Sequence, residues 1–284
     1  MTTNPPPDLP KESPRTILFQ FVIFPLGVVL IGVAVFLLFG KLASNEQSIP
    51  DYLNDIRGGS SHRKFQAAYE LSKSIKRGEA KRYPNLVEQV IDVYRSSKGD
   101  DPRVRQYLTL VLGKLGDRRA VPVLIDALHD PVVETRIYSL IALAELQDRS
   151  AVPAVIAATS DDDKDVRKTA IYALGDLNDP RGVPLLQQAL NDPVADIRYN
   201  AALGLARAGD HQAEPVLRTM IDRSSLNRVS EMRPDQKEEA MVAAIPAYAR
   251  LAGKTAIPEL QALANNDESM RVRATAKDAL TKLQ

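Results

Sequence analysis

Four arginines stand 31 residues apart, Arg105, Arg136, Arg167 and Arg198, and Arg273 resumes the series after an irregular step. A guanidinium grips a carboxylate or phosphate through two parallel hydrogen bonds. A periodic row of them is therefore a grip for an acidic partner or a ladder of internal ion pairs. Asp117, Asp148, Asp179 and Asp210 keep the same 31-residue period at a constant offset of 12 from the arginines. That co-periodicity favours the internal reading, an architectural Arg–Asp ladder in which truncating one rung leaves an unpaired charge. A second basic set falls at the turns: Arg118, Arg119, Arg149 and Arg181, with His211 after them. It lines one edge of the array, where it offers an acidic partner a row of charge or simply sits in water beside capping aspartates. The acidic cluster Asp161, Asp162, Asp163 and Asp165 lacks the glycine and the distant glutamate of a calcium loop. Short acceptors at that place fit helix capping instead.

Other chemistry has little to work with. There is no cysteine, so thiolate metal sites, disulfides and cysteine nucleophiles are excluded. The three histidines, His62, His129 and His211, fall in different units with no evident common site. A glycine-rich phosphate loop, a glycine-flanked serine and metal-ligand spacing are all missing. The sequence thus predicts no catalytic residue, no metal and no cofactor. Lys and Arg number 37 against 36 Asp and Glu, a balance that argues against a nucleic-acid binder.

The elements that position these residues repeat with them. Pro122, Pro153, Pro184 and Pro215 share the period, as do Leu112, Leu143, Leu174 and Leu205. A period of this size marks small units stacked along one axis. In residues 162–192, Val166, Ala170, Ala173, Leu174 and Leu177 recur at helical spacing. Asn178, Asp179 and Pro180 stop that helix, and Pro184 sits in the first turn of a second one, where a missing N–H costs little. Leu185, Leu186, Ala189 and Leu190 form its apolar positions. Each unit is a helical hairpin too short to stand alone in water.

Residues 101–130, 131–161 and 193–224 follow the same plan, and a diverged unit over 61–99 puts Lys64 at the arginine position. Residues 50–59 read as an isolated second helix, a cap. After Asp222 the register breaks: Pro258 follows Pro215 by 43 residues instead of 31. The inserted stretch, 223–237, mixes Arg223, Arg228 and Arg233 with Leu226, Val229 and Met232. It reads as a protruding polar loop and as the best candidate for a specific contact, since a regular array has no packing reason for it. A helix over 256–264 and a half-repeat with Val272, Arg273, Ala276 and Leu280 close the chain.

Residues 16–40 carry no charge, with Gln20 the one strongly polar side chain. That length spans a bilayer with some tilt and exceeds a signal-peptide core. The expected organisation is a proline-rich disordered tail over 1–15, a transmembrane helix over 16–40, a linker over 41–49 and the repeat array over 50–284. Lys11 and Arg15 before the span against Lys41 and Arg57 after it tilt the amino end inside and the repeats to the outer face of a plasma membrane.

The unit pattern, read at Val166-Arg167, Ala170, Ala173-Leu174, Leu177, Asp179, Val183-Pro184, Leu186 and Ala189-Leu190, resembles the short HEAT-like repeat named after phycobilisome lyases, over residues 50–284. The resemblance implies an all-α, right-handed α-solenoid of helical hairpins. It implies three roles across the wider group: scaffolding, bilin attachment or isomerisation, and di-iron hydroxylation by His-Glu pairs. Here the histidines precede Arg63, Asp130 and Gln212, so the hydroxylase activity does not carry over. The expected function is a membrane-anchored protein–protein scaffold or adaptor without catalysis. The alternatives are a lyase-type enzyme of the group and a passive structural spacer.

Overall fold

The computed structural model describes residues 23–43, 47–78, 81–83 and 85–283, in two compact units, Met1–Ser48 and Ile49–Gln284. In the first unit, α1 runs over Phe24–Ala43 for 20 residues, and its large aliphatic and aromatic side chains from Phe24 to Leu38 are exposed. The expected span over 16–40 overlaps it only from residue 24, and both 16–22 and the tail over 1–15 lie outside the described residues. Judged on the described side chains, which end at Leu38 in this helix, no helix is long and apolar enough to cross a membrane. The transmembrane helix is therefore not shown.

The second unit is built of helices, with no strand among the described residues. It opens with α2 (Ile49–Gly58). Hairpins follow: α3 (Ser61–Ser74) with α4 (Leu86–Ser96), and α5 (Pro102–Leu115) with α6 (Val121–Ala127). Next come α7 (Val133–Leu146) with α8 (Val152–Ala158), and α9 (Lys164–Leu177) with α10 (Val183–Ala189). Then α11 (Ala195–Ala208) pairs with α12 (Glu214–Ile221), and the insertion holds the short α13 (Arg223–Asn227). A long α14 (Pro234–Ala252) pairs with α15 (Ile257–Asn266), and α16 (Met270–Thr281) ends the array. The result is an all-helical solenoid with half-units at both ends.

Local sequence explains the element borders. Asp163 caps α9 by accepting from the N–H groups of Asp165 at 2.8 Å and Val166 at 3.2 Å, as the acidic cluster predicts. The first helices end on left-handed residues 31 apart, Gly116, Gln147, Asn178 and Gly209. Glycine and asparagine suit that conformation, and Gln147 makes up for it by donating through its amide to Ala144 O at 2.7 Å and Asp176 Oδ2 at 3.0 Å. Pro122, Pro153, Pro184 and Pro215 all occupy the first turn of the second helices.

Packing buries the periodic leucines completely: Leu112, Leu143, Leu174 and Leu205 are at the centre of one continuous core. Consecutive first helices pack side by side, and each second helix rests on the first helix of the following hairpin. Small residues set the spacing between first helices. A Cβ on Gly175 would come within 2.7 Å of Gly204 Cα, and one on Gly113 within 2.8 Å of Ala142 Cβ.

The insertion is not a protruding loop. Asp222 caps α13 from the Ser224 and Ser225 N–H groups at 3.2 and 3.0 Å. Leu226 is fully buried in the core, and residues from Pro234 onward add turns to α14. Its polar composition reflects an amphipathic short helix whose single apolar anchor suffices to fold it back.

Candidate functional site

The arginine row is internal, but its partners differ from the expected aspartates. Arg105 pairs with Asp130, and Arg136 Nε meets Asp161 Oδ2 at 3.0 Å. The same side chains close the loops ahead of their helices. Arg136 donates to Asp130 O at 2.9 Å, Arg167 to Asp161 O at 2.7 Å, Arg198 to Asp192 O at 2.7 Å, and Arg273 to Asp267 O at 2.5 Å. Lys64 takes the arginine role in the first hairpin and holds Asp100 at 2.8 Å. Asp117, Asp148, Asp179 and Asp210 lie at the far end of the first helices. Twelve residues of helix separate them from the arginines by about 18 Å, beyond any ion pair. Any two positions in a repeat share its period, so a constant offset carries no information about contact.

The acidic residues that sequence reasoning missed are Asp130 and Asp161, which pair through their carboxylates, and Asp192, which meets Arg198 through its backbone carbonyl; the three are themselves 31 apart. Each also accepts from the N–H two residues on, at 2.8–2.9 Å. Their position at the loop before a first helix, one turn from the next arginine, was the available signal. Burial pushes the Asp161 carboxyl upward, but the Asp163 N–H and the Arg136 and Arg167 guanidiniums outweigh it, so its pKa lies below the usual value.

The other aspartate row caps the single 3-10 turns that start the second helices. Asp117, Asp148, Asp179 and Asp210 accept from the N–H groups of Arg119, Ser150, Arg181 and Gln212 at 2.9–3.0 Å. The turn arginines then close on these caps. Arg119 chelates Asp117 at 3.0 and 2.8 Å and also reaches Glu88. Arg118 reaches Asp148 of the next unit at 3.4 Å, and Arg149 reaches Asp179 at 3.8 Å. Arg181 chelates Asp179 at 2.8 and 3.0 Å, and those bonds depress the Asp179 pKa to about 2. The predicted basic edge is thus a self-paired ridge whose charge is matched by its own caps.

The structure divides the six candidate residues of the insertion. Arg223 forms a two-point pair with Asp267 at 3.0 and 2.7 Å and reaches Glu268 at 2.8 Å. Arg233 pairs with Asp235 at 3.0 Å, and its N–H donates to Gln236 at the start of α14. Leu226 belongs to the core. The remaining three, Arg228, Val229 and Met232, come together along a groove of about 520 Å³. Its opposite wall is the start of α9, with Lys164 and Lys168, and the start of α11, with Val194, Asp196 and Arg198. Lys168 holds Asp165 at 3.0 Å and lies 3.8 Å from Asp196.

An array of stacked helical hairpins with loop-closing arginines and a groove at the register break after Asp222 defines an α-solenoid repeat protein. Residues 87–163, 124–202 and 152–232 match the family model for HEAT repeats, together just over half of the chain. The chain belongs to the HEAT repeat family. No curated protein matches it. Among solved structures, the complex of CpcE and CpcF of phycocyanin lyase from Nostoc sp. PCC7120 aligns with a TM-score of 0.56 at 19% identity, over 85% of this chain and 96% of that one. YibA of E. coli aligns with a TM-score of 0.53 at 16% identity, over 85% and 84% of the two chains. At these identities the likeness is one of fold.

Proposed function

We propose that this HEAT-repeat chain is a non-catalytic protein–protein adaptor, a right-handed solenoid held at a plasma membrane by α1 and displayed on its outer face. One observation carries the adaptor reading: the break in the 31-residue register after Asp222 puts Arg228, Val229 and Met232 opposite α9 and α11 along one groove. The regular edges satisfy their own charges, so the break is where a partner finds unlike residues side by side. The anchoring reading draws on the uncharged sequence run over 16–40, of bilayer-spanning length, and on the exposed aliphatic side chains of α1. Photoreactive phenylalanine analogues at Val229, Met232 and the half-exposed Tyr69, on α3 of the first hairpin, test the first part in native membranes. A defined adduct at 229 or 232 and none at 69 is expected, whereas no adduct at any of the three leaves a spacer. Carbonate extraction tests the second part, since release of the full chain into the supernatant would sink the anchor.

A further inference from the structure

We propose that the groove between the inserted turn and the amino ends of α9 and α11 takes an acidic protein segment that carries an apolar side chain. This deepens the adaptor reading and rests on it. The argument starts from register. In two regular hairpins the arginine and its carboxylate stand 25 residues apart, Arg105 with Asp130 and Arg136 with Asp161. Twenty-five residues after Arg198 stands another cation, Arg223, which is spent on Asp267 and Glu268. Arg198 donates to two backbone carbonyls, those of Asp192 and Pro193, both on Nη1, as Arg167 does with Asp161 and Asp162; what sets Arg198 apart is that no carboxylate stands at its ladder position and that it faces the groove.

Beside it, Arg228 donates only to Ser225 Oγ at 2.9 Å. Among the described residues no carboxylate is paired with Arg198, Arg228 or Lys164, although all three line the groove. Of the acids there, Asp165 and Asp196 share Lys168, and the exposed Glu231 accepts the hydroxyl of its neighbour Ser230 at 3.1 Å. The groove thus presents three cations in want of carboxylates around an apolar floor of Val194, Val229 and Met232. A guanidinium that already donates to fixed carbonyls, as Arg198 does, is pre-oriented for a two-point carboxylate grip. The floor supplies a place for one branched aliphatic side chain, which adds non-directional affinity. A phosphodiester backbone has nothing to bury on the apolar floor, so a peptide with an aliphatic side chain fits better than a nucleic acid.

The test uses the purified full-length chain in zwitterionic detergent, with micelles alone as baseline, and three fluorescent dodecapeptides followed by anisotropy. One is built of Glu and Leu, one of Lys and Leu, and one of Glu and Ser. The Glu/Leu peptide should bind at least about tenfold more tightly than either of the others. Arg228→Glu should weaken it by about tenfold or more, and Met232→Ser by about threefold or more. Arg250→Glu, which reverses an exposed charge on α14 away from the groove, should leave it unchanged. Equal binding of the Glu/Leu and Lys/Leu peptides, or equal loss in the Arg228 and Arg250 variants, would overturn the proposal. A native-membrane adduct at Met232 that survives Arg228→Glu would overturn it too while leaving the adaptor reading standing.

Discussion

The regular hairpins over 101–161 and the interrupted stretch over 195–267 solve the same electrostatic problem by different routes. In the first, a buried carboxylate at the loop, Asp130 with its side chain 1% exposed, meets the arginine of its own hairpin. In the second, the ladder position of α14 holds Met241, 43 residues after Arg198 and fully buried. Asp267, 3% exposed, is instead neutralised by Arg223 from the insertion. A desolvated carboxylate requires a cation, and the fold supplies one from whichever segment reaches it. The ladder is a demand of burial, and sequence position is only one way of meeting it.

The largest effects test whether the insertion is as structural as the regular hairpins. Leu226→Ala and Leu143→Ala should each cost about 4 kcal/mol, within the range for fully buried leucines. Because arrays unfold unit by unit, hydrogen exchange of the full chain should show the loss locally, over α13 and α14 in one variant and over α7 in the other. Unchanged protection in Leu226→Ala would mean that α13 is decoration. Next come the ion pairs. Arg223→Ala should destabilise by about 3 kcal/mol, as Arg105→Ala does, since each leaves a carboxylate buried and unpaired. Arg223→Lys should recover part of that loss, because an ammonium replaces the charge but not the two-point geometry.

Much of this was legible beforehand, and what was not has a physical reason. The 31-residue period places the hairpins, the proline-started second helices and the terminal half-repeats correctly, because each rests on local chain chemistry. Pairing failed because co-periodicity looks like contact. Asp117 and its equivalents move in step with the arginines yet sit a helix length away, while Asp130, Asp161 and Asp192 moved in step just as well. The insertion misled through composition, since one buried leucine outweighs a polar majority in a helix of one turn and a half. That Arg223 is internal while Arg228 is displayed depends on reach across 44 residues to Asp267, which no local pattern encodes.

Smaller effects sharpen the contrast between the close-packed regular stack and the looser interrupted step. Gly175→Ala drives a methyl into the Gly204 backbone and should cost about 2 kcal/mol by overpacking. A glycine-to-alanine exchange that stabilised the chain would show that α9 and α11 can part freely. Acid should act on both regions. The pKa values of Asp161, Asp179 and Asp267 lie below the usual 3.8. Such groups bind protons more readily in the unfolded chain, so their stabilisation is complete above about pH 4 and fades as pH falls through their folded values. For Asp179 that window extends down to about 2. Between pH 4 and 2 the melting temperature of the parent should drop, and Asp179→Asn should flatten the slope. A slope identical in both would remove the Arg181 grip from the list of stabilising contacts.

The smallest expected effect separates the two halves of the insertion most cleanly. Arg228→Glu changes a side chain whose one bond is to Ser225 Oγ, so stability should stay within about 0.5 kcal/mol of the parent. Arg223→Ala, five residues away, should cost several times that. If both variants unfold the chain alike, the whole insertion serves packing and the register break needs no partner to explain it. If only Arg223→Ala does, the insertion contains an architectural half that rebuilds the ladder and a displayed half that the fold leaves unused. Arg228 and Arg198, neither held by a carboxylate of the chain, are then the pair that a carboxylate from outside can reach.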